Sequence, residues 1–251
     1  MIVHSITLHV ILVLFAATLV RSALGFGEAL IAVPLLAFVM PIEQAAPTAV
    51  LVSITVALIV VIQDWRSVHL SSAGWLVVST FFGIPLGLLL LKKLPESVVE
   101  TMLGTVVAAF SVYSLASRRD YELKDDQLAG FFGFIAGVLG GAYGMNGPPL
   151  AIYGSLRRWS PENFRATLQA YFLPASVAGM VGYWVTGLWT PSVNRFYFAS
   201  LPGVLLAIFV GRAMNRRIRA RRFILYVHLC LTVIGAALLL KGLGGCSILK
   251  R

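Results

Sequence analysis

Charge is scarce in this sequence. Only 12% of its 251 residues are Asp, Glu, Lys or Arg, where a soluble domain carries about a quarter. So few charges cannot cover a water-facing surface, which excludes an ordinary soluble protein. Cysteine is nearly absent: Cys230 falls inside an apolar run and Cys246 in the tail, so neither a disulfide frame nor a thiolate metal site is expected. The four histidines, His4, His9, His69 and His228, are scattered, and none pairs at metal-ligand spacing. Ser/His/Asp sets and HExxH are missing, so the chain reads as a non-enzyme with no cofactor, no catalytic residue and no metal. The ten-residue alternation of a membrane barrel is missing too.

What the chain has is apolar length. Of its residues 59% are hydrophobic, its mean hydropathy is +0.88, and its apolar runs approach the twenty residues or so that cross a bilayer core as helix. The expected fold is an all-α polytopic membrane protein. The first run follows Met1 without a basic flank or small-residue cleavage site, so it is expected to be retained as a transmembrane helix. The net charge of +10 sits mostly in the connections, where basic residues act as topology signals. Membrane lipids are thus expected partners and nucleic acid is not.

Two glycine-rich stretches organise the rest. Ile6–Leu24 is an apolar helix broken at Gly25-Phe26-Gly27, and Ala29–Met40 follows. At 1.5 Å per residue the latter covers roughly 18 Å, well short of a core about 30 Å thick. Ala45–Ile62, Ala73–Leu91 and Val98–Ala116 are each long enough to span. The polar stretch Ser117–Gln127 divides the chain. In the second half Leu128–Leu139 leads to a break at Gly140–Gly147, Pro148–Leu156 is again short, and Ala166–Leu188, Phe196–Val210 and Phe223–Leu240 are long. A shift of 119 residues pairs Gly25 with Gly144, Ala32 with Ala151, Glu43 with Glu162, Thr48 with Thr167 and Trp65 with Trp184. The division is a first repeat at 1–117, a cytoplasmic polar linker at 118–127 and a second repeat at 128–245. Each repeat is expected to be a homologous half with a glycine-broken helix pair and three long transmembrane helices.

Three crossings after each returning break make an odd number, so the halves are expected to be inverted repeats. The positive-inside rule agrees. With the linker inside, fourteen of the 20 Lys and Arg fall on the inner side. They include Arg21, Arg66, Arg157, Arg158, Arg165 and the arginine-rich 212–222 stretch, whose plain role is to anchor topology and meet anionic lipid. Trp65, Trp75, Trp159, Trp184 and Trp189 fall near segment ends, as an interfacial belt requires.

Broken helices in inverted repeats recur in secondary transporters, with substrate held at the ends of half-helices. Both short segments begin right after the glycines, with Gly27 or Asn146 as the N-cap and Pro148 in a first turn that tolerates its missing N–H. Two helix N-termini converging on one place favour an anion. The expected substrate-binding groups are Gly25, Gly27, Glu28, Gly144, Asn146, Gly147 and Pro148 at the breaks, Thr48, Thr167 and Gln169 in the helices, and Arg21 and Arg165 as cations. Plainer readings stand beside these. The glycines can serve close helix packing, Glu28 can be a dipole-stabilising carboxylate near the membrane surface, and each threonine can bond its own helix carbonyl four residues back. Glu43 and Glu162 read as helix-start residues. Arg21 and Glu28, seven residues apart, can pair if the break allows it. As an ionisable group in an apolar segment, Glu28 is also a candidate proton carrier.

The Gly-x-Gly-(x6)-Pro pattern at Gly25, Gly27 and Pro34, with Gly-x-x-Gly-Pro-Pro-x-x-x-Tyr from Gly144 to Tyr153 at the head of the second half, resembles the TauE/SafE family of sulfite exporters. The resemblance implies movement of sulfite, sulfoacetate, thiosulfate or related small organic anions across the bacterial inner membrane. Glu28 and Ala29 depart from the family pattern where its glycine run often continues. The expected function is thus a secondary transporter of a small, sulfur-containing anion working by alternating access. Protons are a candidate coupling ion and a homo-oligomer a candidate assembly. The alternatives are a non-transporting membrane partner or assembly protein, and a passive anion channel.

Overall fold

The computed structural model describes residues 2–64, 70–116, 123, 125–159, 161–215, 229 and 231–243. Among them every regular element is helical. In chain order these are α1 (Ile2–Leu24), α2 (Glu28–Leu36), α3 (Ile42–Asp64), α4 (Leu70–Lys93), α5 (Glu96–Ala116), α6 (Ala129–Tyr143), α7 (Gly147–Leu156), α8 (Pro161–Val185) and α9 (Pro191–Asn215), followed by α10 (Leu231–Leu243). Trp65, Arg66, most of the 118–127 linker, residues 216–228 and both cysteines lie outside the described residues, as do the side chains of Glu162 and Arg165.

Helices α1, α3, α4, α5 and α9 each contain a stretch long and apolar enough to cross a bilayer. Their outer faces carry what a soluble surface would not, with Ile62 69% and Phe82 72% exposed. The chain is a multi-pass integral membrane protein. α2 and α7 are short, with 9 and 10 residues. α2 ends sooner than the sequence suggests. Pro34 removes one backbone donor from its last turn, and Pro41 disfavours helix at the residue before it, so 37–40 turn instead. α6 runs further than expected, through Gly140 and Gly141 to Tyr143, which narrows the second break to Gly144–Asn146.

Those extra helical glycines are held by packing. α4 lies along α6 with their backbones almost touching. A β-carbon at Gly83 would overlap the carbonyl of Phe134, and one at Gly87 that of Val138. From the other side, Gly133, Gly137 and Gly141 face the carbonyls of Leu76, Thr80 and Ile84 in the same way. Glycines four apart on each helix form a seam of the kind that holds helices together in lipid, where apolar burial contributes little. Thr80 Oγ1 crosses it, donating to Gly133 O at 2.8 Å.

The contacts are exchanged between the halves. α4 packs on α6, and α9 packs on α1, which is the same relationship once α1–α5 are matched to α6–α10 in order. α3 meets α8 between them, and α2 meets α7. α10 closes on α5, where Gly235 leaves only 2.8 Å between its missing β-carbon and Ala108 N. Lys241 of α10 donates to Glu100 at 2.5 Å and to the Ala37 carbonyl just past α2 at 2.7 Å.

Candidate functional site

The first break folds α2 back beside α1. Gly25, at φ 93°, ends α1 with its N–H on the Arg21 carbonyl at 2.6 Å, and Gly27 adopts φ 98° before α2 starts at Glu28. Side chains seven residues apart thereby meet, and Arg21 Nη1 pairs with the Glu28 carboxylate. Thr18 Oγ1 donates to the other carboxylate oxygen at 3.1 Å. The guanidinium spends its remaining reach on α3 and α8. Nη1 donates to Ser53 Oγ at 2.7 Å, and Nη2 donates to Gln169 Oε1 at 2.7 Å. Ser53 and Ser176 hydroxyls lie 3.3 Å apart, and the Phe172 ring stacks 4.9 Å from the Arg21 guanidinium carbon. Arg21 and Glu28 are each 2% exposed, and Arg21 is the only basic residue in the buried interior among the described residues. Its Nε is enclosed without a hydrogen-bond partner.

The second break is built alike and finished differently. Gly144, at φ 66°, ends α6 with its N–H on the Gly140 carbonyl at 2.8 Å, the counterpart of Gly25 on Arg21. Two residues on, the halves diverge, since Asn146 keeps an ordinary right-handed φ of −76° where Gly27 is left-handed. Asn146 holds the N-cap position without a side-chain cap. Its Nδ2 instead donates back to Ala136 O at 3.2 Å and to Tyr171 Oη at 3.3 Å. It fits because position 140 is glycine, as a β-carbon there would lie 2.9 Å from Asn146 Cγ. The bulk is thus distributed in opposite senses: arginine and glycine at 21 and 27, glycine and asparagine at 140 and 146.

Both breaks open on one small cavity, lined by Arg21, Ser53 and Phe172, by Gly27 to Leu30 at the start of α2, and by Gly144 to Pro148 at the start of α7. The two helix starts are unequal as anion sites. The first N–H groups of a helix lack intrahelical acceptors, and α2 presents those of Glu28, Ala29 and Leu30. α7 has Pro148 and Pro149 in its first turn, which carry no N–H. One donor-rich helix end therefore faces one donor-poor end.

Of the residues expected at the site, Arg21, Gly27, Glu28, Gly144, Asn146, Gly147 and Pro148 line this cavity. Gly25 joins through its carbonyl, which accepts from Gln169 Nε2 at 2.6 Å. Thr48 spends its hydroxyl on Gln44 O of its own helix at 2.7 Å. Thr167 is fully buried, and neither threonine lines the cavity. Arg21, counted with the inner-side charges in the sequence, is buried in the cluster and marks no loop. Glu28 is buried within the protein, 2% exposed. Thr18, Ser53, Phe172 and Ser176 were missed. For Thr18 and Ser176 the signal was present, as polar residues in apolar helices one turn from Arg21 and two turns from Gln169 respectively.

The family described as Sulfite exporter TauE/SafE matches the chain over residues 10–238. A curated protein from Bacillus subtilis (strain 168), the "Probable membrane transporter protein YunE", is 27% identical over 113 residues, which cover 44% of this chain and 40% of that protein. No solved structure matches.

Proposed function

The chain belongs to the sulfite exporter TauE/SafE family, and from that premise we propose that it is a membrane transporter, a secondary carrier of a small anion. The class is sulfite, thiosulfate, sulfoacetate or a similar sulfur-containing organic anion. The observation that carries the reading is the single cavity onto which both helix breaks open, with the buried Arg21 in its wall. An arginine presents planar paired donors suited to an oxyanion. The α2 start adds backbone N–H groups and the positive end of a helix dipole. Gly27 leaves open space, with nothing within 4 Å of where its β-carbon would stand.

Alternating access is the proposed mode. The exchanged packing of α4 on α6 and α9 on α1 supports two halves related by a two-fold operation. With three helices after each short one, α3 to α5 and α8 to α10, we take that operation to invert the halves across the bacterial inner membrane. Cysteines placed at Arg118 and Arg217 are then expected to label from the same side. Labelling from opposite sides overturns the inversion.

The deciding experiment is flux into proteoliposomes of labelled sulfite, thiosulfate and sulfoacetate. Saturable flux of at least one, lost in Arg21→Leu, is expected. No flux of any of them sinks the reading and returns the protein to a non-transporting role, while non-saturating flux makes it a channel.

A further inference from the structure

The Arg21–Glu28 pair presents a transport site with a difficulty that is also informative. The group best suited to hold an anion is already occupied by an anion of the protein's own. The carboxylate lies on Arg21 Nη1 and is steadied by Thr18 at 3.1 Å. Both side chains are 2% exposed. In that setting a net charge is costly, and a paired charge is tolerated because its partner cancels it. Among the described residues Arg21 and Glu28 are the only charged ones that line the cavity, and their charges sum to zero.

An anion that enters on Arg21 adds its full charge to the site unless Glu28 loses its own, which brings a monoanion back to zero and a dianion to a single negative charge facing the start of α2. The chemistry for that is local. A proton taken up by the Glu28 carboxylate converts it to a neutral acid that no longer competes for the guanidinium, and the substrate anion then takes its place as counter-ion. Arg21 keeps its bonds to Ser53 and Gln169, both at 2.7 Å, so it stays in position while the counter-ions change. Its unpartnered Nε supplies a further donor. On release the proton returns to the solution that receives the anion, and the internal pair forms again.

We propose, building on the carrier reading above, that Glu28 is an internal substitute for the substrate anion, so that each anion bound at Arg21 is accompanied by one proton on Glu28. Among the described residues no other titratable group reaches Glu28. α2 is packed against α1, α3, α5 and α7. From these come the Arg21 and Thr18 side chains of α1 and the Ser53 hydroxyl of α3. Glu100 of α5 is already bound by Lys241, past the opposite end of α2. Gln169 of α8 is permanently neutral.

The test measures proton and anion movement together in proteoliposomes carrying wild type or Glu28→Gln, with thiosulfate, sulfoacetate and sulfite as the probes. Thiosulfate and sulfoacetate hold a constant charge near neutral pH, so protons that move with them in wild type are carried by the protein. The expected wild-type ratio is one proton per anion above whatever the anion itself carries. In Glu28→Gln the ratio falls by one for every anion that still moves, and net inward negative current per anion rises correspondingly. Equal ratios in wild type and variant overturn the proposal. If Glu28→Gln carries nothing, the wild-type ratio decides, a value near one supporting the proposal and a value near zero overturning it. Absence of anion flux in wild type would instead sink the carrier reading on which this rests.

Discussion

Arg21 and Gln169 are 148 positions apart and joined at 2.7 Å, and the same Gln169 amide donates to the Gly25 carbonyl at 2.6 Å. One side chain of α8 therefore holds both the buried cation of α1 and the glycine that ends α1. Gln169→Leu leaves an arginine donor and a backbone carbonyl unpaired. Lost buried hydrogen bonds cost about 1–3 kcal/mol per stranded group, with membrane values near the low end. The expected outcome is a lower melting temperature in detergent and at least a tenfold loss of anion flux. Thermal unfolding beside a flux assay checks it.

Gly140 and Asn146 should behave as a coupled pair. Gly140→Ala places a β-carbon against the Asn146 side chain, whereas in the other half the large residue and the glycine are interchanged. Gly140→Ala is expected to destabilise, and Asn146→Gly in the same chain to relieve much of that loss. A double-mutant cycle should give a coupling of about 1–3 kcal/mol. Additive losses would mean that the two positions do not share space.

At the break glycines, strain and space make separate claims. Gly27 has open room but φ 98°, so Gly27→Ala should cost about 1–2 kcal/mol from the left-handed backbone alone. Gly147 needs no such conformation, and its β-carbon would meet only Phe26 at 3.8 Å. Gly147→Ala is expected to fold and transport near wild type. Flux and melting temperature for the two variants, measured together, test the distinction.

The α4–α6 seam predicts a sharper contrast. Gly137→Ala drives a methyl into the Thr80 carbonyl, and overpacking of this kind costs about 1–3 kcal/mol. Gly179→Ala on α8 meets nothing within 4 Å and should gain up to about 1 kcal/mol from helix propensity. Detergent-stability curves of opposite sign are the expected result.

Lys241→Met removes the partner of Glu100, which is 5% exposed, and a donor to the Ala37 carbonyl beyond α2. It should destabilise the fold, and Glu100→Gln in the same chain should restore part of the loss, because the stranded charge is then gone. Unfolding of the single and double variants measures this.

Membrane class, helical build, the long helices and the positions of both breaks were legible in the sequence. Each depends on local quantities: the length of an apolar run, glycine where the backbone turns left-handed, and proline where a donor is dispensable. The ends of α2 and α6 were less so. The extension of α6 through Gly140 and Gly141 depends on Ile84 and Asn146 pressing against glycines from outside the helix, and hydrophobic periodicity carries no trace of such a neighbour.

The site divides along the same line. The sequence by itself determined that Arg21 and Glu28 stand in apolar surroundings on either side of a break, since their spacing and the hydrophobicity around them are matters of order along the chain. Only the tertiary structure decided that they pair, that Ser53 and Gln169 complete the arginine's partners, and that both breaks share one cavity. Those partners come from α3 and α8, brought together by glycine seams and exchanged helices. A buried charge takes its character from whatever surrounds it in space, and here much of its surroundings lies far away along the chain.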